Sequence, residues 1–427
     1  MKGAIKSLVK NDYVVSVICK ILGVVVAVAY SALLARYLGP SIKGEIAYIT
    51  GIVSIFSIVL TIGVHQAYPY YKKRDTIGDV KHYFMNAVLL LFGIYSIISL
   101  AICIFCIKNS VLIICILLSL ISAYKRIVSY VYLVEAGGKR NVTMLVIHIV
   151  QVVYILILFL TTESNFLLGI SVVAFQDVVL AVVYTKKIRF RFGIKYLKGN
   201  FLVKLVAYGI VPMISLLAST LNYRIDILML RGFNNITIAS VGIYSVGVAI
   251  AEEVLLIPEA IKEILLSKLA KGANDEAVAT VMRLCFPICL LMFAGLACCG
   301  WWLINIFYGE AYLEAYPVLV ITMIGVTAIM FYKMIATYNI VNKKQNFNLI
   351  VLLSSITVNV IANFILIPRL NIAGAAIATV ISYIYCAVVF LMYFSRRSGI
   401  KIRNMVFMTR QDILTLKNLF SNKKKTI

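Results

Sequence analysis

The 427-residue sequence has little charge, because Asp, Glu, Lys and Arg together make up only 14% of it. Soluble globular domains contain about a quarter charged residues, so this composition excludes an ordinary soluble protein. Acidic residues are especially scarce, with 17 Asp and Glu against 41 Lys and Arg, for a formal net charge of +24. The cations lie between long apolar blocks, which indicates membrane topology and contact with anionic lipid. We therefore expect no nucleic-acid partner.

The sequence also lacks the motifs of several enzyme classes. It has no GxxxxGK[ST] phosphate-binding loop. It has no DD or DxD motif, although metal-dependent glycosyl and phosphoryl transferases need clustered carboxylates. The three histidines (His65, His82 and His148) are scattered, and the nine cysteines lie in apolar blocks, where cysteine is usually a small hydrophobic residue. We predict no catalytic site, no metal and no cofactor, and we do not expect an enzyme.

Apolar residues are abundant, at 62% of the chain with a mean hydropathy of +0.99. They form blocks of about twenty residues, the length of a helix that crosses a bilayer. The sequence therefore predicts an all-α, polytopic membrane protein of about 12 transmembrane helices. The predicted spans are 13–35, 44–64, 83–107, 111–134, 143–162, 166–185, 201–221, 238–257, 284–307, 317–340, 347–367 and 372–394.

A basic stretch divides these spans into six and six, which is typical of a two-lobed transporter. We predict two pseudo-symmetric six-helix lobes (1–185 and 201–395), a basic cytoplasmic linker (186–200) and a basic cytoplasmic tail (396–427). Lys and Arg are concentrated in the connections on one side, so both termini are expected in the cytoplasm. The tail and segment 258–281 are expected to lie on the inner leaflet and attract anionic membrane lipids. A solvated, topology-setting tail is an equal alternative.

Cations inside the predicted spans indicate a functional cavity. Lys125 and Arg126 lie about nine residues from the inner end of the fourth span, roughly 14 Å deep. A cation at that depth costs at least about 2.5–3.5 kcal/mol unless it faces water or a partner. We therefore predict an aqueous, positively charged cavity. Lys20 in the first span indicates the same more weakly, and Lys333 is shallow enough that snorkelling to the interface is an equal alternative.

Two carboxylates also lie within or beside the spans. Asp177 is near the middle of the sixth span, and we expect it to be neutralised by Lys125 or Arg126. A proton- or sodium-linked role for Asp177 is the alternative. Arg224 and Asp226 lie at the outer mouth of the seventh span. An ion pair and contact with a substrate are equally compatible with their position.

Several stretches resemble the polysaccharide-export flippases of the multidrug/oligosaccharidyl-lipid/polysaccharide exporter superfamily. The resemblance covers about residues 1–395, and one departure is Asn371, where the family usually has glycine. The similar stretches are ALLARYLGPSIKGEIAY (32–48), DILML (226–230) followed by VGIYSV (241–246), FYGEAYLEAY (307–316) and NVIANFILIPRLNIAGAAIAT (359–379).

The resemblance implies a multi-pass protein of the bacterial cytoplasmic (inner) membrane. It would move undecaprenyl-diphosphate-linked oligosaccharide repeat units, for O-antigen, capsule or a related glycan, from the inner to the outer leaflet. The expected mechanism is alternating access through a cationic central cavity. The expected charge-pair or coupling residues are Asp177 and Asp226. The expected substrate-binding residues are Lys20, Arg36, Lys125, Arg126, Arg224 and Lys333.

The same resemblance implies polysaccharide polymerase and assembly proteins as partners. A cation-coupled small-molecule antiporter of the same fold is the alternative function, but it would favour an acidic cavity, whereas the intramembrane charge is basic. A polymerase or lipid-linked sugar transferase would need a sizeable external loop or a carboxylate cluster, and the sequence has neither.

Overall fold

A computed structural model describes residues 12–75, 79–197, 199–270, 272–409 and 412. Within these ranges all regular secondary structure is helical. Two short 3₁₀ turns, Ile194–Tyr196 and Glu310–Tyr312, accompany the α-helices. The α-helices are α1 (Asp12–Thr61), α2 (Val64–Lys73), α3 (Val80–Phe105), α4 (Ser110–Thr161), α5 (Phe166–Ile188), α6 (Gly199–Leu230), α7 (Ile238–Glu253), α8 (Leu256–Ala270), α9 (Asp275–Tyr308), α10 (Ala315–Val341), α11 (Gln345–Ser398) and α12 (Arg403–Val406).

In the described part of the chain, nine helical stretches are long and apolar enough to cross a membrane. The protein is therefore an all-α, multi-pass membrane protein, as the sequence predicts. Three of the helices contain one residue with a non-helical backbone: Gly39 in α1, Ala136 in α4 and Asn371 in α11. Each break falls in a predicted connection between two apolar blocks.

The break in α1 has a clear local cause. Gly39 has φ +67° and ψ 169°, a conformation that L side chains rarely adopt. Pro40 follows, and its fixed φ and missing N–H suit the first position of a helix. The Tyr37 hydroxyl lies beside this break, 2.8 Å from the Thr162 hydroxyl, and donates to the Glu163 carbonyl oxygen at 3.1 Å. The Gly-Pro pair thus breaks the helix, and the hydrogen bonds of Tyr37 hold this part of α1 against the end of α4.

The break in α11 is strained. Asn371 has φ 52° and ψ −134°, a backbone conformation that glycine adopts at lower cost than other residues. The position where this chain has asparagine and the family usually has glycine is therefore one that favours glycine. Its side-chain Oδ1 accepts a hydrogen bond from Asn235 Nδ2 at 2.8 Å. Nearby, a Cβ on Gly374 would lie 2.3 Å from the Leu366 carbonyl oxygen. The two parts of α11 therefore approach so closely that position 374 must be glycine.

The chain divides into two compact units, Met1–Leu228 and Met229–Ile427. In the first, α1 packs against α4 and α4 packs against α5. In the second, α10 packs against α7, α9 and α11. The boundary lies near the end of α6, whereas the predicted boundary is the linker 186–200. The predicted two-lobe division stays a prediction, and most of the tail 396–427 beyond residue 409 lies outside the described residues.

The first part of the predicted linker is docked on the start of α3. Asn86 holds it from both sides, because its Nδ2 donates to the Arg191 carbonyl oxygen at 2.8 Å and its Oδ1 accepts from the Gly193 N–H at 3.1 Å. His82 Nδ1 accepts from the Arg191 N–H at 2.9 Å. Tyr196 is buried, with its ring 5.3 Å from that of His82. This stretch is therefore an ordered part of the first unit.

Helix α6 is longer than its apolar block predicts. It continues to Leu230, whereas the predicted span ends at residue 221. The added turns bury Ile227 and Leu230, which explains why the helix does not stop where the hydropathy falls. Arg224 and Asp226 consequently lie within the helix and not in an external connection.

Candidate functional site

Lys125 and Asp177 form an ion pair that joins α4 to α5. Lys125 Nζ lies 2.7 Å from Asp177 Oδ1, and the two side chains are 26% and 17% exposed. Ser122 lies one turn before Lys125 on α4, and its hydroxyl group donates a hydrogen bond to Asp177 Oδ2. Both oxygens of this carboxylate are thus occupied. This is the neutralising pair that the sequence leads us to expect for Asp177.

Arg126 adds a second cation to the same place. Its guanidinium is attracted electrostatically by Asp177, and its Nε is buried without a hydrogen-bond partner among the described residues. Asp177 is the carboxylate that acts on both Lys125 and Arg126. Among the described residues, one carboxylate against two cations leaves one positive charge uncompensated. A group of this kind is costly inside a membrane and is a functional-site hypothesis by default.

Histidine and amide side chains lie near these charges. His65 is buried, its Nδ1 has no hydrogen-bond partner among the described residues, and its ring lies edge-on to Tyr130 at 5.1 Å. The positive charge of Arg126 acts on His65. His148 and Gln176 share a hydrogen bond beside the pair. The sequence analysis considers the histidines only as metal ligands. The signal that could have added His148 to this site is its position inside the predicted span 143–162.

Metal binding has no support among these residues. Within the described part of the chain, His, Cys, Asp and Glu form no group of three or more that could hold an ion. The surplus positive charge is instead suited to an anion. Arg126 in particular offers N–H groups whose geometry matches a phosphate oxygen pair.

Lys333 lies in the second unit and has a partner of its own. Its Nζ is 2.5 Å from Glu259 Oε1, and its side chain is 11% exposed. Glu259 also pairs with Lys262 on the same helix, α8. Lys333 is therefore neutralised in this structure, and its role in substrate binding stays a prediction.

The remaining predicted residues lie elsewhere in the first unit. Arg36 is exposed, three residues before the Gly39 break. Arg224 is half-buried and Asp226 is buried in the last turns of α6. The backbone of Lys20 is in α1, but its side chain lies outside the described residues. Among the predicted site residues, the structure brings Lys125, Arg126 and Asp177 together.

Solved structures show the fold. The chain is similar to the lipid II flippase MurJ in an inward closed conformation, with 15% identity, a TM-score of 0.69, and coverage of 97% of this chain and 93% of that one. It is also similar to an inward-facing multidrug resistance MATE family transporter of the MOP superfamily (15% identity, TM-score 0.66, 89% and 94% coverage). A MOP superfamily transporter from Pyrococcus furiosus gives 14% identity, a TM-score of 0.56, and 92% and 96% coverage.

The sequence itself matches a family model. The model is described as polysaccharide biosynthesis protein and matches residues 33–317, about two thirds of the chain. None of the curated proteins matches the chain. The fold is the one seen in the lipid II flippase and MATE transporter structures. The chain belongs to the polysaccharide biosynthesis protein family and has the fold of the MOP superfamily transporters.

Proposed function

We propose that this protein flips undecaprenyl-diphosphate-linked oligosaccharide repeat units from the inner to the outer leaflet of the bacterial cytoplasmic membrane. Membership of the polysaccharide biosynthesis protein family supports a glycan-linked substrate. The MOP fold supports transport by alternating access. The observation that carries the proposal is the pair of adjacent cations Lys125 and Arg126, which share a single carboxylate inside membrane-spanning helices.

The chemistry of the substrate matches this charge. A diphosphate brings about two negative charges, and its oxygens accept several charge-assisted hydrogen bonds. In our proposal Arg126 contacts the diphosphate, and Lys125 exchanges its bond with Asp177 for one with a phosphate oxygen. The oligosaccharide crosses in the polar interior while the lipid tail stays in the bilayer. Arg36, Arg224, Lys20 and Lys333 are further candidates for substrate contact, and Asp226 is a candidate for charge pairing.

The topology that we propose has twelve spans. Dividing the nine apolar helical stretches at the breaks at Gly39, Ala136 and Asn371 gives twelve segments. In this topology the basic stretch 186–200 separates two lobes of six segments. The distribution of Lys and Arg supports both termini in the cytoplasm. Anionic membrane lipids, a polysaccharide polymerase and assembly proteins are the partners that we propose.

The antiporter alternative is less well supported by the same cluster. A carrier of cationic drugs needs an available carboxylate in its cavity. Asp177 is instead occupied on both oxygens by Lys125 and Ser122.

The proposal is tested by the leaflet distribution of lipid-linked oligosaccharide. In oriented inner-membrane vesicles from cells that lack the protein, we expect completed repeat units to accumulate on the cytoplasmic leaflet. The wild-type protein and the Lys204→Gln variant, which changes an exposed cation on α6, should restore export. The Lys125→Gln/Arg126→Gln variant should not, at equal protein level. An unchanged leaflet distribution without the protein, with other flippases removed, would contradict the proposal.

A further inference from the structure

A groove of about 560 Å³ lies on the first unit, between α3, α4 and α5. Phe92 of α3, Ile121 of α4 and Ala181 of α5 contribute to its walls. Its volume is in the range of small-molecule sites, and its lining is almost entirely apolar. The charged residues Lys125, Arg126 and Asp177 are not among the residues that line it.

The groove opens to the surroundings of the protein. Val178 and Val182, on its α5 wall, are 41% and 48% exposed. All three of its helices belong to apolar stretches long enough to cross a membrane. In the site that we infer below, the exposed valines of the groove face the hydrocarbon of the bilayer. An apolar hollow that faces a bilayer lacks the polar partners that hold water, and an empty hollow would forgo dispersion attraction along its walls. An alkyl chain lying in the groove would supply these missing contacts.

The polar groups at the groove do not require water. The Tyr124 hydroxyl lies 3.0 Å from the Thr185 hydroxyl, and Thr185 donates to the Ala181 carbonyl oxygen at 2.7 Å. These two side chains satisfy each other across α4 and α5. The wall therefore accommodates an alkyl chain without leaving a donor or acceptor unpaired.

One end of the groove carries a cation. Lys186, in the last turn of α5, is exposed and makes no ion pair among the described residues. The next residue, Lys187, has its Nζ engaged with the Thr143 hydroxyl at 2.7 Å. Lys186 is thus the available cation at the point where an alkyl chain would meet its headgroup. A lysine near a membrane surface contributes about 1 kcal/mol of attraction to an anionic lipid.

We infer that this groove is a binding site for an anionic phospholipid, with one acyl chain against Ile121, Val178 and Val182 and the phosphate group on Lys186. Charge selects the occupant, because a zwitterionic lipid offers Lys186 no net negative charge. The inference does not depend on the proposed flippase activity, since lipid occupancy is measured on the protein without any transport.

The test uses the full-length protein in phosphatidylcholine vesicles that contain a trace of phospholipid with a photoreactive acyl chain. With phosphatidylglycerol as the probe, we expect labelling of groove residues on α4 and α5, and excess unlabelled phosphatidylglycerol should compete about fivefold better than phosphatidylcholine. Lys186→Gln should abolish that preference, and Lys204→Gln should keep it. Equal competition by the two lipids in the wild-type protein would overturn the inference.

A second pair of variants tests the chain-binding wall. Val182→Trp fills the groove and should remove labelling there, whereas Val150→Trp changes a residue on α4 that is equally exposed (47%) and should not. Both proteins are first shown to unfold at the wild-type temperature. Groove labelling that persists in Val182→Trp, or that undecaprenyl phosphate displaces better than phosphatidylglycerol does, would contradict an anionic phospholipid as the occupant.

Discussion

The ammonium group of Lys125 and the carboxylate of Asp177 form an ion pair, 2.7 Å from nitrogen to oxygen, within the apolar helices α4 and α5. Both side chains are largely but not completely buried. The value of such a pair lies between that of an exposed salt bridge, about 0–1 kcal/mol, and the cost of about 3–5 kcal/mol for breaking a fully buried one. The pair is thus strong enough to hold the helices together and weak enough to be exchanged for a ligand.

A double-mutant cycle should measure this coupling. Asp177→Asn leaves Lys125 and Arg126 without their carboxylate, so we expect the free energy of unfolding to fall by about 1–3 kcal/mol. The Lys125→Gln/Asp177→Asn protein should lose less than the sum of the two single changes. Thermal unfolding of the purified proteins in one detergent provides the comparison. Strictly additive losses would show that the two side chains do not interact.

Arg126 should be needed for transport but not for folding. Because its Nε has no hydrogen-bond partner among the described residues, Arg126→Gln should change the unfolding temperature little. Loss of one charge-assisted contact with a diphosphate, about 1.5–3 kcal/mol, should lower export about 10- to 100-fold. Arg126→Lys keeps the charge and should retain part of the activity.

Export per folded molecule in oriented vesicles is the measurement for Arg126, with Lys204→Gln as the matched loss of a cation. If Arg126→Gln unfolded at a lower temperature and exported normally, its role would be structural.

The charged cluster was predictable from the sequence because charge inside an apolar block is costly. The positions of Lys125, Arg126 and Asp177 required no knowledge of the fold. The partner of each residue could not be predicted without the fold, because it depends on the rotation of every helix about its axis. Lys333 illustrates this limit: its partner Glu259 belongs to a segment that the sequence places on the membrane surface. In the structure α8 packs against α10 and buries Leu265.

The helix boundaries were predictable where local chemistry sets them. Gly39 and Pro40 mark a break that the sequence already shows. The end of α6 could not be read in this way, since its last turns contain Arg224 and Asp226 and are held by burial of Leu230. Tertiary packing there outweighs the local fall in hydropathy.

Asn371 offers a test of backbone strain. Its φ of 52° with ψ −134° costs a non-glycine residue about 1–3 kcal/mol. Asn371→Gly relieves that strain but loses the exposed hydrogen bond from Asn235, so we expect stability equal to or up to about 1 kcal/mol above wild type. Asn371→Ala keeps the strain and loses the bond, and should be less stable by about 1 kcal/mol. An alanine variant as stable as the glycine variant would show that the backbone is relaxed.

Gly63, just after the end of α1, and Gly209 of α6 lie in close contact. A Cβ on Gly209 would lie 2.3 Å from the Ile62 carbonyl oxygen, and one on Gly63 would lie 2.1 Å from the Gly209 carbonyl oxygen. Small residues at such positions allow helices in a membrane to approach closely. Gly209→Ala must therefore separate the two backbones, and we expect a loss of about 1–3 kcal/mol.

Gly295→Ala on α9, where a Cβ meets nothing within 4 Å, is the matched control for Gly209→Ala and should be neutral or slightly stabilising. Equal unfolding temperatures for the two alanine variants would refute the close contact.

The C-terminal segment should detach from α9 at low pH. Asp412 Oδ2 lies 2.9 Å from Arg283 Nε and accepts from the Thr409 N–H at 2.8 Å. Burial alone would raise the pKa of Asp412, but the hydrogen bonds from Thr409 and the charge of Arg283 outweigh it and lower that pKa below its usual value. The contact therefore stabilises the segment above about pH 4, the unfolded-state pKa, and is lost as the pH falls through the lower folded-state value.

Hydrogen exchange of residues 403–409 against pH measures this release. We expect protection at neutral pH and a loss of protection below about pH 4. Asp412→Asn should already be less protected at neutral pH, because Arg283, whose side chain is 5% exposed, loses the more buried of its two carboxylate partners. The protection of the Asp412→Asn protein should not change further below about pH 4.

Glu163→Gln, which removes an exposed carboxylate in the loop between α4 and α5, is the control and should behave as wild type. A pH profile shared by Asp412→Asn and wild type would assign the release to a different group, since asparagine cannot titrate.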